Sequence, residues 1–168
     1  MSEMDIYKKA RLRAMHLLER ADRTEKGLRQ KLLASYPEEV AEEALAYVKS
    51  FGYVDDRRYA ENFIRFRCQS KSRLQILQEL QRKGVDRETA LQAWEEVSAM
   101  EELDERGLLR SLVRKKYPPG SRLDEGQMRR LQGYLARRGF SWEDISAVLA
   151  QEGIELERQA DLKNGNKV

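Results

Sequence analysis

The stretch Gly52-Tyr53-Val54-Asp55-Asp56-Arg57-Arg58-Tyr59 returns later in the chain, loosened, as Leu103-Asp104-Glu105-Arg106-Gly107-Leu108. Val54 aligns with Leu103, Asp55 with Asp104, Arg57 with Arg106, Tyr59 with Leu108 and Phe63 with Leu112. Downstream, Leu80 and Gly84 recur as Leu135 and Gly139. Self-similarity at a period of about 50 residues marks a repeat architecture, in which each unit buries its apolar stripe against its neighbours. Such a chain offers a long gripping surface rather than a catalytic pocket, so the question becomes which partner it holds.

The apolar spacing fills each repeat with three helices. Ile6, Ala10, Ala14, Leu17, Leu18 and Ala21 share one face of a first helix over about residues 5–22. Thr24 caps a second helix carrying Leu28, Leu32 and Leu33, and Pro37 suits the first turn of a third, which buries Val40, Ala41, Ala44, Leu45 and Val48 and stops at Gly52. Asp55 caps the fourth. Val54 and Tyr59 then stand at the two positions of a hydrophobic staple, and Leu103 with Leu108 and Phe140 with Ile145 repeat that arrangement. Ser70 or Ser72 opens the fifth helix, Gly84 ends it, and Asp86 caps the sixth. Asp104 opens the seventh, which Pro118-Pro119-Gly120 breaks; Gly139 closes the eighth and Ser141 opens the ninth. Leu32, Leu80 and Leu135 occupy equivalent middle-helix positions. The expected division is residues 1–53, 54–103 and 104–152, each a three-helix repeat, followed by a flexible polar tail over 153–168. On this reading Gly52, Tyr53, Asp55, Asp56, Tyr59, Gly84, Asp104 and Gly139 are structural helix-junction residues.

Composition agrees with a thin all-α object. Of 168 residues 36 % are charged and 8 % aromatic, and the mean hydropathy is −0.78, which leaves little material for a thick core. Three prolines and no period-two run of Val, Ile and Thr argue against a sheet. No apolar run approaches the ~20 residues that span a bilayer, and no signal-peptide pattern opens the chain. The single Cys68 cannot form an internal disulfide, so a cytoplasmic protein without membrane contact is expected. Cys68 and the single His16 lack the further ligands of a zinc site or the orienting group of a nucleophile pair. Asp55 and Asp56 suit helix caps better than acid/base work. No catalytic, metal or cofactor residue is expected.

Charge is segregated. Net charge is +6 over residues 8–31, −4 over 36–48, +4 over 55–84, −6 over 86–104, +7 over 105–138 and −5 over 141–157. In every triplet the first two helices are basic and the third acidic. One reading is mutual neutralisation between adjacent helices. The other is a basic ribbon that tracks phosphates beside an acidic ribbon that meets a basic protein surface. The candidate DNA- or filament-binding residues are Arg57, Arg65, Arg67, Lys71, Arg73, Arg114, Lys115, Lys116, Arg129, Arg130, Arg137 and Arg138, with Arg58 beside the first of them.

Gly52-Tyr53-Val54-Asp55-Asp56-Arg57-Arg58-Tyr59-Ala60 with Phe63-Ile64-Arg65-Phe66-Arg67, and Ile76-Leu77-Gln78-Glu79-Leu80-Gln81-Arg82-Lys83-Gly84-Val85, resemble the signature of the regulatory protein RecX family. Leu17-Leu18-Glu19-Arg20 upstream, and Arg114-Lys115-Lys116-Tyr117 and Tyr134-Leu135-Ala136-Arg137-Arg138-Gly139-Phe140 downstream, extend the resemblance over roughly residues 10–150. The resemblance implies an elongated, curved array of three tandem three-helix repeats. It also implies a non-enzymatic regulator of the RecA recombinase in recombination, DNA repair and the SOS response. Such a protein lies in the groove of the RecA–DNA filament as a monomer and restrains filament growth, ATP hydrolysis and strand exchange. Contact with single- or double-stranded DNA is expected to be weak and without sequence preference. This chain departs from the family at Gln69-Ser70-Lys71-Ser72-Arg73, where glycines are usual, at Gly27, and at Ala34-Ser35-Tyr36-Pro37. The alternative is a helix-turn-helix DNA-binding factor reading a groove with the fifth or eighth helix.

Overall fold

The computed structural model of the chain describes residues 2–158. Within them the order is α1 (Glu3–Arg20), α2 (Glu25–Leu33), α3 (Glu38–Ser50), α4 (Asp56–Arg67), α5 (Arg73–Arg82), α6 (Arg87–Glu101), α7 (Glu105–Lys116), β1 (Arg122–Leu123), α8 (Glu125–Arg137), α9 (Trp142–Gln151) and β2 (Glu155–Leu156). Most of these helices start where short polar side chains can take up orphan N–H groups. Thr24 accepts from Gly27 N at 3.0 Å, Asp86 from Thr89 N at 2.8 Å, Asp104 from Gly107 N at 2.9 Å and Ser141 from Asp144 N at 3.1 Å. Asp55 accepts from Arg58 N at 3.1 Å. Of the two serines before α5, Ser72 is the cap, accepting from Gln75 N at 3.2 Å. Pro37 sits one residue earlier than expected, as the N-cap of α3, and α8 opens on a capping box between Asp124 and Gln127.

The described residues fall into two compact units: one gathers residues 2–66 and 77–102, the other 67–76 and 103–158. In the first, α1 packs on α3 and α2 around Ala10, Ala14, Leu17, Leu28, Leu32, Ala44 and Val48. Ala60, Ile64, Leu80, Val85, Ala90 and Val97 are buried as well. In the second, α7 and α8 pack on α9 around Leu109, Val113, Leu131, Leu135, Ile145 and Val148. Leu32, Leu80 and Leu135 are all fully buried, as their shared register requires.

One bonding pattern occurs in both units. In the first, Thr24 Oγ1 donates to the carbonyl of Lys83 at 2.6 Å, while the carboxylate of Asp56 accepts from the backbone N–H of Glu25 at 2.9 Å. In the second, Ser72 Oγ donates to the carbonyl of Arg138, while Glu105 accepts from the N–H of Arg73 at 2.8 Å. A hydroxyl at the cap of one middle helix thus closes the end of the next middle helix. A carboxylate from the next first helix caps the start of the same segment. Gly84 and Gly139, with φ of +99° and +92°, end α5 and α8 in the left-handed region. A β-carbon at either would strike the partner segment, at Lys26 and at Ser72 respectively. This junction draws residues 67–76 into the second unit.

Two expectations change. Arg122–Leu123 and Glu155–Leu156 pair in parallel, and Gly120 N–H donates to Glu152 O at 2.8 Å. Sequence patterning misses this ladder because two residues are too short for a period. The polar tail also begins later than residue 153: Ile154 is buried beside Leu123, and Glu157 N–H donates to Leu123 O at 2.7 Å. Leu123 and Ile154, together with these backbone bonds, hold the segment after α9 against the stretch that follows Pro118-Pro119. The remainder of the expected tail, 159–168, lies outside the described residues.

Candidate nucleic-acid and partner interface

In every triplet, arginines of the first helix reach acids of the third. Arg11 pairs with Glu43, Nε to Oε1 being 2.9 Å. Arg57 bonds Glu61 Oε1 at 3.1 Å, Gln92 at 3.2 Å and Glu96; Arg65 bonds Glu101 at 2.9 Å. Arg106 meets Asp144 at 2.9 Å, and Arg110 and Arg114 converge on Glu152. The Arg114 guanidinium takes Glu152 in a fork, 2.8 Å and 3.0 Å, and that hydrogen bond holds the Glu152 carboxyl below its ordinary range. Arg29 likewise reaches Glu42 at 2.6 Å. Glu42, Glu43, Glu96, Glu101, Asp144 and Glu152 are therefore offset by neighbouring arginines, and Arg57, Arg65 and Arg114 are spent on this task.

The other candidates divide by place. Arg67, at the end of α4, and Lys71, in the loop after it, are half-buried, and Arg73 is exposed at the first turn of α5 with its N–H on Glu105. Arg58 lies across the end of α3, Nη2 donating to Gly52 O at 3.0 Å. Lys115, Lys116, Arg129, Arg130, Arg137 and Arg138 belong to the end of α7 and to α8 with its C-cap, and the structure brings Lys116 and Arg138 together at the ring of Tyr134. None of these six enters an ion pair among the described residues. Lys116 Nζ stands 4.0 Å and Arg138 Cζ 4.7 Å from the ring centre of Tyr134, which ties the two helix ends into one patch. Residues 106–123 and 126–142 contain no carboxylate, so nothing within these segments offsets the charge.

The junction residues occupy helix starts and ends. Gly52 ends α3 at φ +72°, Val54 beside it is buried, and Tyr59 stacks with Phe63 at 6.2 Å. Asp56 is partly desolvated, which pushes its carboxyl up, while the Glu25 N–H acts against that shift. Tyr53 joins the junction through its backbone, N–H to Val48 O at 3.2 Å, but its ring stays 49 % exposed and stacks on exposed Phe51 at 5.6 Å. With Met15, Leu18, Glu19 and Arg58 it borders a groove of about 410 Å³. Sequence reasoning missed this aromatic pair, as well as Tyr134 between two cations. For Tyr134 the available signal was a lone aromatic in a basic, acid-free stretch of helix. His16 is exposed, and no group of three metal-ligating side chains occurs among the described residues. No helix among them is long and apolar enough to cross a membrane.

Comparison with known proteins gives three adjacent matches: the first RecX three-helix domain over residues 10–47, the second over 55–93 and the third over 104–149. A regulatory protein RecX from Amycolatopsis mediterranei is 39 % identical over 138 residues, covering 80 % of this chain and 77 % of its own. One from Thermobifida fusca is 34 % identical, covering 91 % and 85 %. The crystal structure of RecX from Lactobacillus salivarius matches with a TM-score of 0.70 at 20 % identity, over 89 % of this chain and 97 % of that one, a likeness of fold.

Proposed function

Since this chain belongs to the regulatory protein RecX family, we propose that it modulates the RecA recombinase, lying in the groove of the RecA–DNA filament and restraining filament growth, ATP hydrolysis and strand exchange. It does so without chemistry of its own, as a cytoplasmic monomer, through surface contacts. The observation that carries this reading is the tandem of three matched domains on a chain in which each acidic third helix gives acids to arginines of its own triplet. Among the cations outside ion pairs in the described residues, Lys115, Lys116, Arg129, Arg130, Arg137 and Arg138 lie on α8 with its C-cap and at the end of α7. A protein that must lie against a nucleoprotein filament needs rigid helices and a face of one sign. Rigidity comes from the repeated hydroxyl–carbonyl junction, and the face from the α8 arginines that no carboxylate holds among the described residues. The test is ATP turnover by RecA on single-stranded DNA with increasing amounts of the purified protein. Suppression at sub-stoichiometric amounts is expected for restraint of filament growth; unchanged turnover at saturating amounts removes the proposal. Operator-specific binding that survives about 200 mM salt would instead identify a sequence-reading factor.

A further inference from the structure

Helix α8 carries two glycines on its outward face. Gly126 lies in the first turn, but Gly133 stands in the helix interior, where glycine is the poorest former after proline. Neither position needs glycine for packing. A β-carbon on Gly126 would meet, besides its own cap, only the tip of Arg130, Nη1 at 3.4 Å. One on Gly133 would meet only the tip of Arg137, Nη1 at 3.1 Å. Both contacts are with the free end of a flexible side chain, and Gly133 has no positive φ. Alanine would fit and would hold the helix better. What glycine offers here is a bare strip of backbone with a guanidinium lying over it, repeated at i and i+7, so that the two strips and their arginines form one line along the helix.

The surroundings of that line are charged and not apolar. Arg129 is exposed beside Arg130, and across the turn Lys116 and Arg138 flank Tyr134. Attraction of cations to helix C-termini accounts for Arg137, Arg138 and Lys116, but not for Arg129 and Arg130, which stand in the first half of α8. Nor does it account for a glycine between the two pairs.

We propose that the outward face of α8, with Arg129, Arg130 and Arg137 around Gly133 and with Lys116 and Arg138 at its edge, is a binding site for the sugar-phosphate backbone of a nucleic acid strand, and that Gly133 is kept so the strand can approach the helix backbone. The site depends on the proposed modulation of RecA only for its target, a filament that contains DNA. A phosphate chain fits better than an acidic protein segment. Interfaces between proteins centre on buried aromatic or aliphatic anchors, whereas nucleic-acid interfaces are polar and strongly positive. Between Arg129 and Arg138 the side chains directed away from the core are arginine, glutamine, glycine and alanine, with Tyr134 held at the rim by its two cations. Arginine forks also match phosphate oxygens in pairs, and contacts to phosphate carry no sequence information, so binding should be blind to sequence.

The experiment uses the full chain and a fluorescein-labelled oligothymidylate, without RecA, read by anisotropy between about 50 and 200 mM salt. Arg129→Gln with Arg137→Gln is expected to lower the slope of log affinity against log salt by about 1.4, ~0.7 for each phosphate of a single strand that the variant no longer neutralises. Gly133→Ala is expected to raise the melting temperature and weaken binding at low salt while leaving that slope unchanged, since no charge is removed. Arg57→Gln, whose guanidinium is held by Glu61 and Glu96, should bind as the parent does. Gly133→Ala that melts higher and binds as tightly as the parent would overturn the role of the glycine. An unchanged salt slope in the arginine variant, or displacement of the oligonucleotide by polyglutamate at equal charge concentration, would overturn the site. These readouts contain no RecA, so their failure leaves the modulation of RecA to be judged by ATP turnover alone.

Discussion

Replacing Ser72 by alanine tests the junction on which the proposed rigidity depends. Ser72 is fully buried. Its hydroxyl both accepts from Gln75 N–H at 3.2 Å and donates to the carbonyl of Arg138. Alanine removes the N-cap of α5, a loss of about 1 kcal/mol. It also strips the α8 terminus of a hydrogen bond, a further ~1 kcal/mol. The two partners are backbone groups packed inside the junction, where water reaches them poorly, so the losses should add to about 2 kcal/mol. For a chain of this size that corresponds to a fall of roughly 4–8 °C in melting temperature. Thermal unfolding followed by circular dichroism gives the number, and hydrogen exchange at the Gln75 amide locates it. Ser70→Ala is the control, because Ser70 is exposed and its hydroxyl reaches only the nearby Arg67 carbonyl at 3.4 Å; it should change stability by less than about 0.5 kcal/mol. Ser72→Thr keeps the hydroxyl and should recover most of the loss. If Ser72→Ala melts with Ser70→Ala, the hydroxyl carries no weight in the junction and α5 and α8 are held without it.

Thr24→Val should lose a similar amount to Ser72→Ala, since Thr24 makes the same two bonds at 3.0 Å and 2.6 Å; equal stability to the parent in urea unfolding would deny the equivalence. Gly84→Ala combines a left-handed φ with a collision against Lys26 and should cost more than Gly52→Ala, which has the strain but open space around it, and comparing the two denaturation midpoints checks this. Glu152, held below its ordinary range by Arg114, contributes stability that is fully present above the unfolded carboxylate pKa and is lost as pH falls through the lowered folded value. A Glu152→Gln variant should therefore lose less stability than the parent on acidification through that window. Asp56 carries the opposite sign: its raised carboxyl lets the folded state take a proton first, so its contribution improves as pH falls from the raised value to the ordinary one. Asp56→Asn keeps an oxygen for the Glu25 N–H, and its stability should show none of that gain in a pH series.

What the sequence discloses follows the range of each interaction. Asp86, Asp104 and Ser141 bond an amide three residues on, so a polar residue before an apolar stripe is enough to find them. The buried leucines follow from helical period in the same way. The hydroxyl of Thr24, however, reaches Lys83, and the hydroxyl of Ser72 reaches Arg138, 66 residues away. Serine and threonine at a cap look alike in sequence whether or not the free proton finds a distant carbonyl. Charge segregation was legible, but the pairing that removes Arg57, Arg65 and Arg114 from the candidate surface was not, since net charge per segment does not say which side chains meet. The α8 patch needed both: a basic run visible in sequence, and the knowledge that the end of α7 folds beside it.

The same chemistry sets the outer edges of the first and third middle helices apart from the two internal junctions. Each junction needs a hydroxyl at the start of one middle helix and a glycine-terminated end on the next. The third middle helix begins at Asp124, whose carboxylate has no proton to give a carbonyl, and the capping box already occupies it: Gln127 N–H donates to Asp124 at 2.7 Å and Asp124 N–H to Gln127 at 3.0 Å. At the opposite extreme, the first middle helix ends at Ala34 in the right-handed region, followed by Ser35, Tyr36 and Pro37. No left-handed glycine there opens the close approach that Gly84 and Gly139 allow. Asp124 thus lacks the donor, and Ala34 the gap, that the two internal junctions share. Substituting a carboxylate for a hydroxyl at one cap and omitting one glycine at the other end is a small change in sequence. At Asp124 and at Ala34 that small change withholds the features from which the junctions at Thr24 and Ser72 are made.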